Sequence, residues 1–221
     1  ENPRGAIYPT PTIGMVGVVE DLAHVTTAAF KGVGDAIVLL GRNTAELGGS
    51  EYLKVVHGRV AGDAPAVSLE GETALQTALL TMIRAGLVRS AHDTAEGGLA
   101  VALAESAFGE VPFGIDVELD DALPANALLF GEAQGRVVVS CAEAVVDGIL
   151  DVARENGVPA RRIGTVGAPF GTFAIRTSGG AIEAAASELV AVYEQAIPRR
   201  MEATVEDLEA SLESLVQNGQ E

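Results

Sequence analysis

The chain has 221 residues, with 31 acidic side chains against 14 basic ones and a formal net charge of −17 at pH 7. That field repels polyanions and excludes a nucleic-acid partner held by charge. Apolar residues make up 48% but aromatics only 4%, with no Trp, so the core must be built from Ala, Val, Leu and Ile; the single cysteine, Cys141, excludes an internal disulfide and a cysteine-based zinc cluster.

Taken in chain order, ENPRGAIYPTP is rich in turn formers and is kept extended by Pro9 and Pro11. TIGMVGVVE alternates enough to predict a strand, and DLAHVTTAAFKGV a connection with a helical turn. GDAIVLLG is a continuous apolar run of the kind found in buried strands. Ser50, after a glycine pair, is placed to cap a helix that starts in EYLKVVHG. Leu75, Leu79, Met82 and Ile83 share one helix face between Leu69 and Ala85. GLVRSAHD predicts a short strand, and a helix begins near Gly98.

Beyond it, VPFGIDVEL and GRVVVS are strand-like, and AEAVVDGILDVARENG is a helix ending at Gly157. RRIGTVG and GTFAIRT are expected to pair with each other around a Pro-containing turn, and AIEAAASELVAVYEQAI to form a helix closed by Pro198. In ATVEDLEASLESLVQNGQE, Val205, Leu208, Leu212 and Leu215 make a narrow stripe on an acidic helix, which either packs on its own domain or docks a partner. The expected architecture is α/β (α+β): a layered domain with a mixed β-sheet flanked by helices. No apolar run is long enough for a membrane span and no leader pattern is present, so no membrane partner and a cytoplasmic setting are expected.

Three stretches could carry chemistry. In AHDTAEGGLA, Asp93 and Glu96 have the spacing of a capping box, and Gly97 and Gly98 let the backbone turn or approach something closely. One reading is a capped helix with a satisfied His92. The other is a phosphate held at a helix N-terminus, with Mg²⁺ between it and the two carboxylates. In LLFGEAQGRVVVS, polar Glu132, Gln134 and Arg136 interrupt apolar sequence just before a buried strand, as substrate contacts or as a plain turn. LGGSEYL, with Ser50 and Glu51, is the third. Cys141 has no adjacent base and is expected to be an inert core thiol. GVGDAI lacks dinucleotide-fingerprint spacing, no Walker A or G-x-S-x-G sequence occurs, and His24, His57 and His92 have no metal-ligand spacing.

Together, GAIYPTPTIGMVGVVED, LGGSEYL, HDTAEGGLAVALAES and LLFGEAQGRVVVS, in that order, resemble the synthetase-subunit family of phosphoribosylformylglycinamidine synthases. That family sits within the aminoimidazole ribonucleotide synthetase superfamily. The likeness runs from Gly5 to about Pro198 and omits the acidic tail. It implies a fold like the C-terminal domain of aminoimidazole ribonucleotide synthetase. It also implies an ATP-dependent C–N ligase of purine biosynthesis, in which Mg-ATP activates the amide of formylglycinamide ribonucleotide and glutamine-derived ammonia displaces phosphate.

By the same resemblance, residues 1–19 carry the last strand and tail of a preceding ATP-binding-type domain. Residues 20–200 are the C-terminal α/β domain, and 201–221 an acidic helix. The family's Gly-Asn-x-Ser stretch and its catalytic histidine would lie before Glu1, so no catalytic residue is assigned and the chain is expected to be inactive alone. Asp93 matches a Mg²⁺ ligand. His92, Gly97 and Gly98 match the family's pattern at that loop, Glu132 and Gln134 match a segment that contacts substrate in the family's first copy of the unit, and with Ser50 of LGGSEYL they are the candidate ligand- or phosphate-binding residues. Ala95 and Ala133 stand where the family has small polar residues, which leaves open a non-catalytic module with a degenerate site. The implied partners are the rest of the subunit, a glutaminase subunit, a small accessory subunit and a phosphorylated small-molecule substrate.

Overall fold

The computed structural model describes residues 12–202. Its first strand is β1 (Ala36–Leu40), five apolar residues that are all buried. A strand with no polar face must be covered on both sides. Six further strands join it: β2 (Ser90–Asp93), β3 (Phe113–Leu119), β4 (Val137–Cys141), β5 (Ala160–Pro169), β6 (Thr172–Thr177) and β7 (Gly180–Ala185). They form one seven-stranded sheet in the order β2-β4-β1-β5-β3-β6-β7. All neighbours run antiparallel except β3 and β6, which are parallel. The expected mixed sheet is present.

The helices are α1 (Glu51–His57), α2 (Leu69–Arg84), α3 (Gly98–Ala107), α4 (Ala125–Phe130), α5 (Val146–Glu155), α6 (Ala186–Glu194) and α7 (Ala196–Glu202). Alternate residues of β1 feed two separate cores. Ala36, Val38 and Leu40 meet Leu75 and Met82 of α2 and Ile149 of α5. Ile37 and Leu39 face the other way, onto Leu99 and Leu103 of α3 and Leu128 of α4, with Leu189 of α6 packed at the edge. Slipping β1 by one residue would exchange the two sets, so the register is held from both sides.

Several expectations are corrected. Residues 12–19 form no strand; Ile13, Met15, Val16 and Val18 are exposed, because no strand of the sheet lies beside them and an alternating sequence without a partner has nothing to bond to. β5 and β6 do not pair with each other: β3 inserts between them, with Ile115 opposite Val166 on one side and Phe173 on the other. The sequence from Ala181 is not helical at first. Gly180–Ala185 is β7, paired along β6 from Thr177 back to Thr172, and the helix starts only at Ala186. Ladder pairing here overrides the helix propensity of the alanines.

Pro198 does not close the helix either; it sits in the first turn of α7, where no intrahelical N–H bond is lost. Helix α4 was not expected, since six residues of nearly continuous apolar sequence, ANALLF, carry no readable period. The stripe at Val205, Leu208, Leu212 and Leu215, and residues 1–11, lie outside the described residues. No described helix is long and apolar enough to cross a membrane.

Candidate functional site

Three of the predicted stretches converge on one carboxylate. Glu132 lies in the loop from α4 to β4, and its Oε1 accepts from the backbone N–H of Gly97 and from that of Glu51, each at 2.8 Å. It therefore joins the start of α3 to the start of α1. A negative charge at these donors is favoured by the orphan amides and by the helix dipole, and charge-assisted bonds of this kind are the stronger ones.

Ser50 is the N-cap of α1, as expected. Its hydroxyl accepts from Leu53 N–H at 3.4 Å and donates to the Leu47 carbonyl at 2.6 Å, so both of its bonds stay within its own loop and helix. At α3 the expected capping box is absent. The N-cap is Gly97, with no side-chain bond of its own, and Asp93 and Glu96 are exposed. The borrowed Glu132 carboxylate replaces a local cap.

The glycine pair has a steric cause. Gly97 and Gly98 have φ of 80° and 71°. A Cβ on Gly98 would lie 2.6 Å from the Gly131 carbonyl oxygen and 2.9 Å from Phe130 Cα, and one on Gly97 would strike Val101 at 2.5 Å. The close approach Gly98 allows is to the chain's own backbone, at the segment that carries Glu132, whereas Gly97 packs on the Val101 side chain.

His92 and Asp93 end β2. His92 Nδ1 donates to the Asp93 carbonyl at 2.7 Å, while Nε2 lies 3.2 Å from Glu105 on α3, so the ring ties the edge strand to the helix. The Asp93 side chain is 76% exposed. Gln134 is exposed and lines a cavity of about 500 Å³ with Thr44, Glu46, Ser68 and Glu72, a lining that does not include Glu132. The structure thus brings Ser50, Gly97, Gly98 and Glu132 together, sets His92 and Asp93 on the adjoining strand end, and separates Gln134.

Arg136 is the functional side chain whose importance the sequence understates. It is 3% exposed. Its guanidinium donates to the carbonyls of Gly131 at 2.6 Å and Ala133 at 3.2 Å, and to Asn43 Oδ1 at 3.1 Å. It thereby sets the loop that presents Glu132. Burial pulls its pKa below the usual arginine value, partly offset by the charge of Glu46. The available signal was an arginine directly ahead of an all-apolar strand. Cys141 is buried, and desolvation first, then nearby Asp35, pushes its thiol up to about 11, which suits an inert core residue.

The fit to Mg²⁺ and to a phosphate can be tested on these groups. The Gly97 amide is already taken by Glu132 and that of Gly98 by the Ala95 carbonyl at 3.1 Å, so the α3 start does not fit a second anion unless Glu132 moves. Asp93 offers one open carboxylate, and no group of three or more His, Cys, Asp or Glu among the described residues is arranged to hold a metal ion. One ligand alone does not make a Mg²⁺ site.

A helix-covered mixed sheet with a glycine-paired helix start beside a strand end defines the class, a layered α/β domain with a mixed sheet. The family model described as AIR synthase related protein, C-terminal domain, matches residues 32–175, and the chain belongs to that family. It is 48% identical over 167 residues to the phosphoribosylformylglycinamidine synthase subunit PurL of Moorella thermoacetica, covering 76% of this chain and 23% of that protein. Against the PurL subunit of Caldanaerobacter subterraneus subsp. tengcongensis the identity is 45% over 166 residues, covering 75% and 22%. The chain thus spans under a quarter of the length of these curated relatives.

Among solved structures, Thermotoga maritima PurL complexed with FGAR superposes with a TM-score of 0.66 at 21% identity, over 76% of this chain and 30% of that one. The complex of that protein with ATP gives 0.60 at 23% identity, over 76% and 28%. These two likenesses show a shared fold.

Proposed function

We propose that this chain is the C-terminal domain of a cytoplasmic phosphoribosylformylglycinamidine synthase, in which residues 20–200 form the α/β domain, residues 1–19 belong to a preceding ATP-binding-type domain and residues 201–221 are an acidic helix. The whole subunit is then an ATP-dependent C–N ligase that turns formylglycinamide ribonucleotide and glutamine-derived ammonia into the amidine. A glutaminase subunit and a small accessory subunit are its partners. The observation that carries this reading is the 48% identity across 167 residues, 76% of this chain. A structure of PurLQS from Thermotoga maritima is similar in fold over 76% of this chain, which supports a multi-subunit setting.

Within that frame the strand end and the two helix starts form a rim that faces the rest of the subunit. Asp93 would hold Mg²⁺ as one ligand among several, the others coming from outside this chain. The ion would supply charge neutralisation for ATP phosphates. His92 orients the strand end, and Ser50, Gly97, Gly98 and Glu132 hold the rim's shape, with Gln134 free to meet substrate from the neighbouring cavity.

Two measurements test the reading. Exchanging residues 20–200 for the matching segment of the Moorella thermoacetica subunit should leave a ligase that makes amidine from FGAR, ATP and ammonium; a soluble, assembled hybrid without turnover overturns the assignment. Calorimetric titration of the whole subunit with Mg-ADP should give heat that Asp93→Ala lowers. A folded subunit whose heat Asp93→Ala leaves unchanged overturns the ligand-binding role of the rim and leaves the domain as a structural module.

A further inference from the structure

The buried Arg136 organises the Glu132 loop from within. Its Nη2 and Nε donate to the carbonyls of Gly131 and Ala133, the neighbours of Glu132 on either side. These two bonds fix the guanidinium to the loop, but they tie the loop to nothing else. The third bond leaves the loop: Nη1 donates to Oδ1 of Asn43 at 3.1 Å, just past the end of β1. The glycine contacts nearby set how closely the loop packs without holding it. A Cβ on Gly41 would strike the Gly135 carbonyl, as one on Gly98 would strike that of Gly131.

Asn43 is 9% exposed and passes the link on. Its Nδ2 donates to Asp121 Oδ2 at 3.3 Å, in the loop after β3, and that same oxygen accepts from Arg161 of β5. The partners dictate the orientation of the amide. Arg136 can only donate and an ionised Asp121 can only accept, so Oδ1 must face the first and Nδ2 the second. Only an amide of this length offers one acceptor and one donor at once. An aspartate here would set a second carboxylate against Asp121, and a leucine would leave a buried guanidinium N–H without its partner.

We propose that Asn43 is a positioning residue for Glu132. It is the neutral adaptor through which Asp121 and Arg161, on the β3–β5 side, hold Arg136 in place, and with it the carboxylate at the starts of α1 and α3. Asn43 thus acts on the rim at second hand, by fixing where the Glu132 carboxylate stands. The link from Asn43 to Glu132 rests on this geometry alone; its bearing on turnover rests on the rim's role proposed above.

Amide hydrogen exchange of the full chain tests the link. It is read at Gly97 and Glu51, whose N–H groups bond to Glu132, and at Gly71, which Ser68 caps locally. Asn43→Asp should speed exchange at Gly97 and Glu51 by about tenfold and leave Gly71 at the wild-type rate. Asn43→Leu, for which the adjoining cavity of about 140 Å³ beside Leu39 and Pro159 leaves room, should loosen the same two amides. Adding Asp121→Asn to Asn43→Asp transposes the pair. The carboxylate at position 43 then accepts from Arg136 and from the amide at 121, whose oxygen accepts from Arg161. This double variant should return both amides to wild-type exchange, whereas two merely structural losses would add. Wild-type exchange at Gly97 and Glu51 in Asn43→Asp overturns the proposal, and so does a transposed pair no better than the single variant. In the whole subunit, kcat/KM for FGAR should fall about tenfold in Asn43→Asp and recover in the transposed pair. Exchange that follows this order while turnover does not upholds Asn43 and counts against the rim's role in the reaction.

Discussion

Helices α2 and α3 begin in opposite ways. At α2, Ser68 caps its own helix, its hydroxyl accepting from Gly71 N–H at 3.1 Å, with Glu70 and Glu72 in the first turn. At α3 nothing local caps. Gly97 supplies only a backbone turn, and the acceptor comes from Glu132, 35 residues downstream. One start is written into adjacent residues and stands by itself. The other exists only once the loop after α4 is in place, so it couples α3, α1 and β4 into a single unit.

The largest effect that sharpens this contrast is Gly98→Ala. The alanine must adopt a positive φ, which costs about 1–2 kcal/mol, and its Cβ must displace the Phe130–Gly131 backbone, adding about 1–3 kcal/mol. Urea unfolding should show a loss of about 2–5 kcal/mol.

Glu132→Ala comes next. It strips the acceptor from two amides at once and should cost about 2–3 kcal/mol, whereas Glu132→Gln keeps an acceptor oxygen and should cost about 1 kcal/mol. Ser68→Ala, by contrast, removes one exposed cap bond and should cost about 1 kcal/mol, without touching α3. Hydrogen exchange would separate the two: Glu132→Ala should loosen α1 and α3 together, Ser68→Ala the first turn of α2 alone. If the two alanine variants proved equally mild, the borrowed cap would hold nothing that a local one does not.

The smallest effects concern pH, and they differ in sign. Burial raises the Asp35 carboxyl above its ordinary 3.8 despite the opposing Arg89, and its Oδ2 has no hydrogen-bond partner. The native state therefore binds that proton more tightly than the unfolded chain. The resulting stability is complete below the ordinary value and is lost as pH rises through the folded one. Glu46 is the reverse. Bonds from the Thr44 hydroxyl and then the Ala66 N–H hold it below 4.5, so its contribution is present above that value and fades as pH falls through the folded one. Stability measured from pH 3 to 6 should show Asp35→Asn and Glu46→Gln diverging from the wild-type curve in opposite directions.

What the sequence made legible follows the same division. Ser50 as a cap, β1 as a buried strand, α2 with Leu75 and Met82 inward and Gly157 beyond the end of α5 each depend on neighbours within a few residues, and each is found. The insertion of β3 between β5 and β6, the strand at Gly180–Ala185 and the capture of two helix starts by Glu132 depend on residues far apart in the chain. No local period encodes them. The glycine pair was visible as a place of close approach, but its counterpart, the backbone of Phe130 and Gly131, was not.

The position of β1 has a consequence for biogenesis. It is complete at Leu40, yet its two sheet neighbours, β4 and β5, begin only at Val137 and Ala160. At ribosomal rates of roughly 5–20 residues per second, the emerging polypeptide carries a bare AIVLL segment for roughly 5–20 s before either flank exists. Translation pauses or starvation that lengthen that interval should therefore favour clumping of nascent chains, and holdase binding should concentrate at this stretch.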